Sequence, residues 1–294
     1  HDEGIIKESR MNAGELFMTK ETFYSTEGSS LCIRAMLYLV MLHAKERGID
    51  RPLILAGRNA HKTFLSAVGL LDLDVEWLYP ENEAGYLACP VTPEGLTARL
   101  SQMKAEGRLP SAVYLTSPDY LGNVADISGI AEVCHGFGVL LVVDNAHGAY
   151  LKFLPRSRHP MDLRADLCCD SAHKTLPVLT GGAYLHLSEE CASLFGAQTK
   201  HAMAIFGSTS PSYLILQSLD LANVYLDTYK ETLAPFLEQV YTIKKALQDY
   251  GYSLFGNEPM KITIAAKPYG YSGTGLAEVL VRQDIVPEFA DSDY

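Results

Sequence analysis

The sequence predicts an α/β fold, a mostly parallel central sheet covered by helices, and three observations predict it. Short apolar or β-branched runs alternate with longer amphipathic stretches along the 294 residues. The run 139–144, VLLVVD, is apolar up to its closing aspartate, as a strand buried on both faces must be. The chemically unusual residues fall just after such runs, where open α/β sheets bind their ligands.

The elements follow in order. Residues 29–47 have apolar side chains at helical spacing and stop at Gly48. Short strands are expected at 52–56 (PLILA) and 74–79 (DVEWLY). The stretch 92–107 opens with a Thr cap, a Pro at the first helical position and Glu94 close behind, and so reads as a helix. Then come a strand at 112–116, a helix over 126–136, the strand 139–144 and two further strands at 166–170 and 181–187. From about 210 to 250 the pattern is helical and long, and it is followed by a strand at 261–266 and a helix near 273–283. The expected division is a large α/β domain over 1–250 and the beginning of a smaller α+β domain over 251–294.

Composition narrows the function. Lys and Arg total 24 against 35 Asp and Glu, a formal charge of −11, which opposes nucleic acid and anionic membranes as partners. The acidic balance is mildly compatible with a cationic substrate. The longest apolar run, around 35–42, falls far short of the ~20 residues that span a bilayer. Six cysteines lack any metal-ligand or disulfide spacing and read as buried small hydrophobes in a reduced compartment. With no signal peptide in HDEGIIKESR, the expected address is the cytoplasm. Starting at His1 and ending in a charged stretch at Tyr294, the chain reads as trimmed at both ends.

Four groups carry chemistry. Asp144-Asn145-Ala146-His147-Gly148 follows one strand, Asp170-Ser171-Ala172-His173-Lys174 another, and Gly57-Arg58-Asn59-Ala60-His61 a third; Gly28-Ser29-Ser30 opens the first long helix. Each alone has an ordinary reading: a strand-end Asp is usually structural, a Lys is usually a solvated surface residue, and Gly-Ser is a common helix start. Together they offer what pyridoxal 5′-phosphate needs. A helix N-terminus with hydroxyls binds a phosphate dianion, a carboxylate keeps the pyridine nitrogen protonated, a flat side chain covers the ring, and a lysine forms the Schiff base.

The pair Asp144–Tyr150 (DNAHGAY) and Ser171-Ala172-His173-Lys174 resembles the bacterial Orn/Lys/Arg decarboxylases, pyridoxal-phosphate enzymes of the aspartate-aminotransferase fold, fold type I. The likeness extends to residues 1–8, 58–62, 208–213 and 289–294. It implies that Lys174 carries the cofactor, Asp144 pairs with the pyridinium nitrogen, His147 lies near the phenolic oxygen beside Ala146, and His61 stacks on the ring. It further implies that Gly28, Ser29 and Ser30, helped by Ser171 and His173, hold the phosphate. Ser208 or Thr209 would reach the phosphate of a neighbouring subunit in a homodimer. Two departures stand out. Asn145 replaces the Glu of many relatives, its side chain expected to point away from the ring. Asp119, in Ser-Pro-Asp-Tyr-Leu-Gly, is the one in-sequence candidate for substrate recognition, against the ordinary reading of a turn Asp.

The resemblance implies decarboxylation of lysine, ornithine or arginine. The alternatives are an aminotransferase or lyase on the same scaffold, and a truncated homologue without turnover. The turn at 117–122 lacks the Asn that aminotransferases place against the cofactor.

Overall fold

In the computed structural model, which describes residues 3–80 and 87–294, the alternation closes into one seven-stranded sheet. Residues 1–2 of the resembling N-terminal segment lie outside the described residues. The strands are β1 (Glu21–Ser25), β2 (Leu53–Gly57), β3 (Asp74–Leu78), β4 (Ala112–Thr116), β5 (Leu140–Asp144), β6 (Leu167–Asp170) and β7 (Ala183–Leu187), in spatial order β1-β7-β6-β5-β4-β2-β3. From β3 across to β6 every pairing is parallel. β7 runs antiparallel to both β6 and β1. The strand expected at 181–187 is therefore the one that reverses direction, returning after the short turn that carries Lys174.

Helices cover both faces. They are α1 (Gly4–Phe17), α2 (Gly28–Glu46), α3 (Lys62–Leu71), α4 (Pro93–Ala105), α5 (Ile127–Phe137), the single turn α6 (Ala172–Thr175), α7 (Glu189–Phe206), α8 (Tyr213–Asp227), α9 (Tyr229–Asp249) and α10 (Gly273–Val281). The caps match the chain chemistry. Thr92 Oγ1 accepts from Gly95 N–H at 3.0 Å ahead of Pro93, and Asp126 accepts from Gly129 N–H at 3.1 Å to start α5. α2 is the central helix, with Leu37, Leu39 and Val40 fully buried. It packs with α3 and α7 over the face of the sheet that presents Tyr114, Val142, Cys169 and Leu185. On the opposite face α4 and α5 cover Val113, Leu141 and Val143, while α1 and α8 enclose Phe17, Tyr150 and Tyr184. Strand residues thus alternate between two dry cores, which is why β4 and β5 read as near-continuous apolar runs. Five of the six cysteines are buried and all are free thiols. No helix among the described residues is long and apolar enough to cross a membrane.

Beyond α9 the chain makes a separate two-stranded sheet of β8 (Leu254–Phe255) and β9 (Thr263–Ile264). The strand expected over 261–266 shrinks to two residues here, since a lone pair of strands has no layer to bury a longer one. This segment docks on the turn after β4. The Asn257 and Glu258 N–H groups both donate to Gly122 O at 2.9 Å, and Val124 N–H donates to Asn257 Oδ1 at 2.7 Å. Gly256, at φ +84°, lies so close to Gly122 that a Cβ would collide with its carbonyl. Gly256→Ala is therefore expected to cost about 2 kcal/mol, combining a left-handed backbone with that clash. A urea titration checks this; a variant as stable as the parent would contradict the docking.

Candidate active site

The carboxyl ends of β2, β5 and β6 and the start of α2 converge on one cleft. Gly28 opens α2 in the left-handed region, φ +72°, with open space where a Cβ would stand. Its N–H donates to Gly181 O at 2.7 Å, which pins the helix start to the turn before β7. From there two linked pairs of hydroxyls line the cleft floor. Ser171 Oγ donates to Ser29 Oγ at 2.8 Å, and Ser30 Oγ lies 3.1 Å from Thr63 Oγ1, which is 3.0 Å from His61 Nδ1. His61 also caps α3 by accepting from Thr63 N–H at 3.2 Å. Its ring is exposed to the cleft, yet burial of the surrounding cleft lowers its pKa. A helix N-terminus lined with hydroxyls is a receptor for a phosphate dianion.

Asp144 closes β5 and is 2% exposed. Tyr114 OH donates to its Oδ2 at 3.2 Å, Ala146 N–H to its Oδ1 at 3.2 Å, and Cys169 Sγ lies 3.6 Å away. Among the described residues no cation lies within ion-pair distance of it, and burial raises its pKa despite those bonds and the more distant Lys174 and His61 charges. A carboxylate so placed calls for a proton or a positive partner. The protonated nitrogen of a pyridine ring would be that partner, so the site fits pyridoxal phosphate on this count as well as at the hydroxyl-lined helix start.

Lys174 lies in the short α6 and faces the open cleft; the enclosing protein lowers its pKa, opposed chiefly by Asp144. Its Nζ donates to His147 Nε2 at 3.0 Å. Burial first, then the nearby charges of Lys261 and Lys174, hold His147 down to about 3, so the ring is neutral and accepts. Lys261, which the sequence reading did not single out, stands on the other side of His147, Nζ to Nδ1 3.5 Å. It donates to Tyr120 O at 2.9 Å and sits 5.3 Å over the Tyr120 ring, which itself meets His147 edge-on at 5.5 Å. The segment bearing Lys261 is held by Glu258, 3% exposed, which accepts from Tyr150 OH and from Lys261 N–H, while Lys244 Nζ donates to Glu258 O at 2.6 Å. A cavity of about 630 Å³ opens here, lined by Lys174, His147, Tyr120, Lys261, Glu288 and Phe289.

The other expected residues divide. His173 turns to the backbone, its Nδ1–H donating to Gly182 O at 3.0 Å, and does not join these hydroxyls. Ser208 lies beside α2 of its own chain, its N–H donating to Glu27 Oε1 at 2.6 Å, and Thr209 follows in the same exposed turn. Asp119 is turned inward: its carboxylate accepts from Gly122 N–H and Asn123 N–H at 2.8 Å and from Asn123 Nδ2 at 2.6 Å. Both of its oxygens are thus taken by the turn after β4, as the turn reading has it, although its charge still acts on Lys261. Asn145 points away from the cleft, as expected, with Nδ2 donating to Asp170 Oδ1 at 2.6 Å. Tyr114 and Thr63 were missed because a Tyr in a strand and a Thr at a helix start read as core and cap. The register pairs Tyr114 with Val142 and Thr116 with Asp144, and only the length of the Tyr114 side chain carries its OH on to Asp144. Glu258 and Lys261 carry no motif.

The family description "Orn/Lys/Arg decarboxylase, major domain" matches residues 1–264. Among curated relatives, the uncharacterized protein YaaO of Bacillus subtilis is 30% identical over 304 residues, spanning the whole of this chain and 61% of YaaO. An arginine decarboxylase of Halalkalibacterium halodurans is 30% identical over 311 residues, again the whole chain against 60% of the relative. This chain thus spans about 60% of the relatives it matches. Among solved structures, lysine decarboxylase A from Pseudomonas aeruginosa superposes with a TM-score of 0.79 at 18% identity, over 100% of this chain and 48% of that one; this likeness speaks for the fold.

The neutral His147 makes a pH prediction. With its folded pKa held near 3, below the ~6.5 of an unfolded His, the unfolded chain takes up the proton first. The stability that His147 contributes is therefore present above pH ~6.5 and is lost as pH falls toward 3. Denaturant titrations at about pH 7 and pH 5 should show the parent losing about 2 kcal/mol more than His147→Asn. Equal losses would contradict the neutral, enclosed ring.

Proposed function

The chain belongs to the Orn/Lys/Arg decarboxylase family, and from that premise we propose that it is a pyridoxal-phosphate-dependent decarboxylase of lysine, ornithine or arginine. The observation that carries the reading is the meeting of Lys174, shifted toward its free amine by burial, with a buried, cation-seeking Asp144 in one cleft. Bound pyridoxal phosphate supplies the electron sink that draws electrons out of the bond to the leaving carboxylate. The chain's own residues bind and orient. Asp144 holds the proton on the pyridine nitrogen, and Tyr114 and Ala146 N–H keep its carboxylate pointed there. Gly28, Ser29, Ser30 and Ser171 hold the phosphate, with His173 beside them and Ser208 or Thr209 reaching the phosphate of the neighbouring subunit. His61 lies against the ring, and His147, neutral between two lysines, faces its phenolic side. Lys174 Nζ makes the covalent attachment and moves protons at the reacting carbon.

The cavity gives the substrate two charged contacts. Lys261 offers an ammonium to an α-carboxylate, and Glu288, whose charge acts on both Lys174 and Lys261, offers a carboxylate to the distal cation of a basic amino acid. The reading extends to a cytoplasmic homodimer whose sites lie at its interface, with residues 251–294 as the beginning of a smaller domain.

Two assays test it. The cofactor-loaded protein, offered lysine, ornithine and arginine, should release CO₂ and the amine from at least one, and Lys174→Ala should abolish this; α-keto acid without CO₂ would overturn the decarboxylase reading. Glu288→Gln should raise KM for the preferred substrate roughly tenfold while kcat changes less. An unchanged KM would remove Glu288 from the substrate contacts.

A further inference from the structure

Behind the cleft lies a second buried cluster, which none of the roles above uses. Asp170, the last residue of β6, is fully buried. Its Oδ1 accepts from Asn145 Nδ2 at 2.6 Å, and its Oδ2 accepts from His159 Nε2 at 2.9 Å and His186 Nε2 at 3.2 Å. Both histidines are fully buried, and the Phe17 ring packs on each, with centroids 5.4 Å and 4.6 Å apart.

Two imidazoles and a carboxylate within 4.8 Å of one another could hold a metal ion, but the outer ring nitrogens favour another reading. Met161 N–H can only donate, and it faces His159 Nδ1 at 3.4 Å. That nitrogen is then an acceptor, and the ring proton sits on Nε2, aimed at Asp170. On His186, Nδ1 lies 2.9 Å from the Thr22 hydroxyl, which can donate to it and leave the proton likewise on Nε2. Three donors therefore converge on one buried carboxylate. Burial alone would raise Asp170, yet its interactions with His159 and then His186 hold it well below the ordinary carboxylate range, so it stays ionised inside the protein.

The position of this anion gives the cluster its meaning. Asn145 directly follows Asp144, and Asp170 lies four residues before Lys174. Besides the side-chain bond, Asn145 N–H donates to Cys169 O at 2.9 Å, so the ends of β5 and β6 are tied twice, once by backbone and once through Asp170. The two groups read above as holding the cofactor's ring nitrogen and its aldehyde carbon sit one on each tied end. We propose that Asp170 is a positioning residue, whose carboxylate, acting through Asn145, sets the separation of Asp144 and Lys174. The proposal rests on the reading of those two as the cofactor's holders. It also accounts for an Asn at position 145: an acidic side chain there would put two carboxylates within hydrogen-bond distance in a dry interior.

The test compares the parent with Asn145→Ala, Asn145→Asp, and the exchanged pair Asn145→Asp with Asp170→Asn. Three quantities are read: affinity for pyridoxal phosphate, the visible circular dichroism of the bound cofactor, and the thermal midpoint of the cofactor-free chain. Asn145→Ala should weaken cofactor binding roughly tenfold and diminish the dichroic band. Asn145→Asp should do so more strongly, and the exchanged pair, with one carboxylate and one amide restored, should recover both quantities. His159→Gln, which keeps one donor to Asp170, is the milder companion and should move both the same way by less. Parent-like affinity and dichroism in Asn145→Ala, with only a lowered thermal midpoint, would overturn the proposal and leave a purely structural cluster. So would zinc that raises the midpoint of the parent but not of His159→Gln. A parent that takes up no pyridoxal phosphate would overturn the functional reading and this inference with it.

Discussion

A carboxylate removed from water at the end of a buried strand governs this site. Asp144 has two hydrogen bonds and a thiol contact but no cation within reach among the described residues, and burial shifts it toward its neutral form. Holding an unpaired ionised carboxylate in such a place costs several kcal/mol, so the arrangement persists in a useful form only if something positive arrives. The parallel sheet creates the constraint. Strands covered on both faces end together at one edge, and the residue after the last apolar position is forced to the boundary between core and cleft.

The rest of the fold answers that constraint from neighbouring positions. β6 ends beside β5, and the turn after it projects Lys174 into the same cleft, while the turn leading into the antiparallel β7 supplies Gly181 to fix the start of α2. Hydroxyls from α2, α3 and the Lys174 turn line the same floor in two linked groups, Ser171–Ser29 and Ser30–Thr63. Behind them, Asp170 is a second buried carboxylate in the opposite condition: it accepts from three side chains, and His159 and His186 among them keep it ionised. One anion is satisfied by the protein and the other awaits a partner. That contrast separates scaffold from site more clearly than burial does, since both residues are almost fully enclosed.

The legible parts of the fold were those with local causes. The apolar run at 139–144 became β5 one residue shorter, and the capped stretch at 92–107 became α4. Lys174, Asp144, His147 and His61 stood out because each ends or follows a strand, and the fold brings them to one cleft. What was missed depends on partners distant in sequence. β1 is an edge strand whose identity comes from pairing with β7, and α1 has only a weak apolar stripe of its own. The long helical stretch at 210–250 divides at Thr228, where no glycine or proline marks the break. Tyr114 and Lys261 acquire their roles only from register and docking. Asp119 shows the converse: a lone acidic residue in a turn suggested substrate contact, and its carboxylate proved to be taken up by the turn's own donors.

The function proposed for this cleft depends on Lys174, and not the second cleft lysine, carrying the cofactor. Borohydride reduction of the pyridoxal-phosphate-loaded protein, followed by mass spectrometry of its peptides, tests this directly. A phosphopyridoxyl adduct is expected on the peptide containing Lys174 and not on the peptide containing Lys261. An adduct confined to Lys261, or no adduct on any peptide, would contradict it.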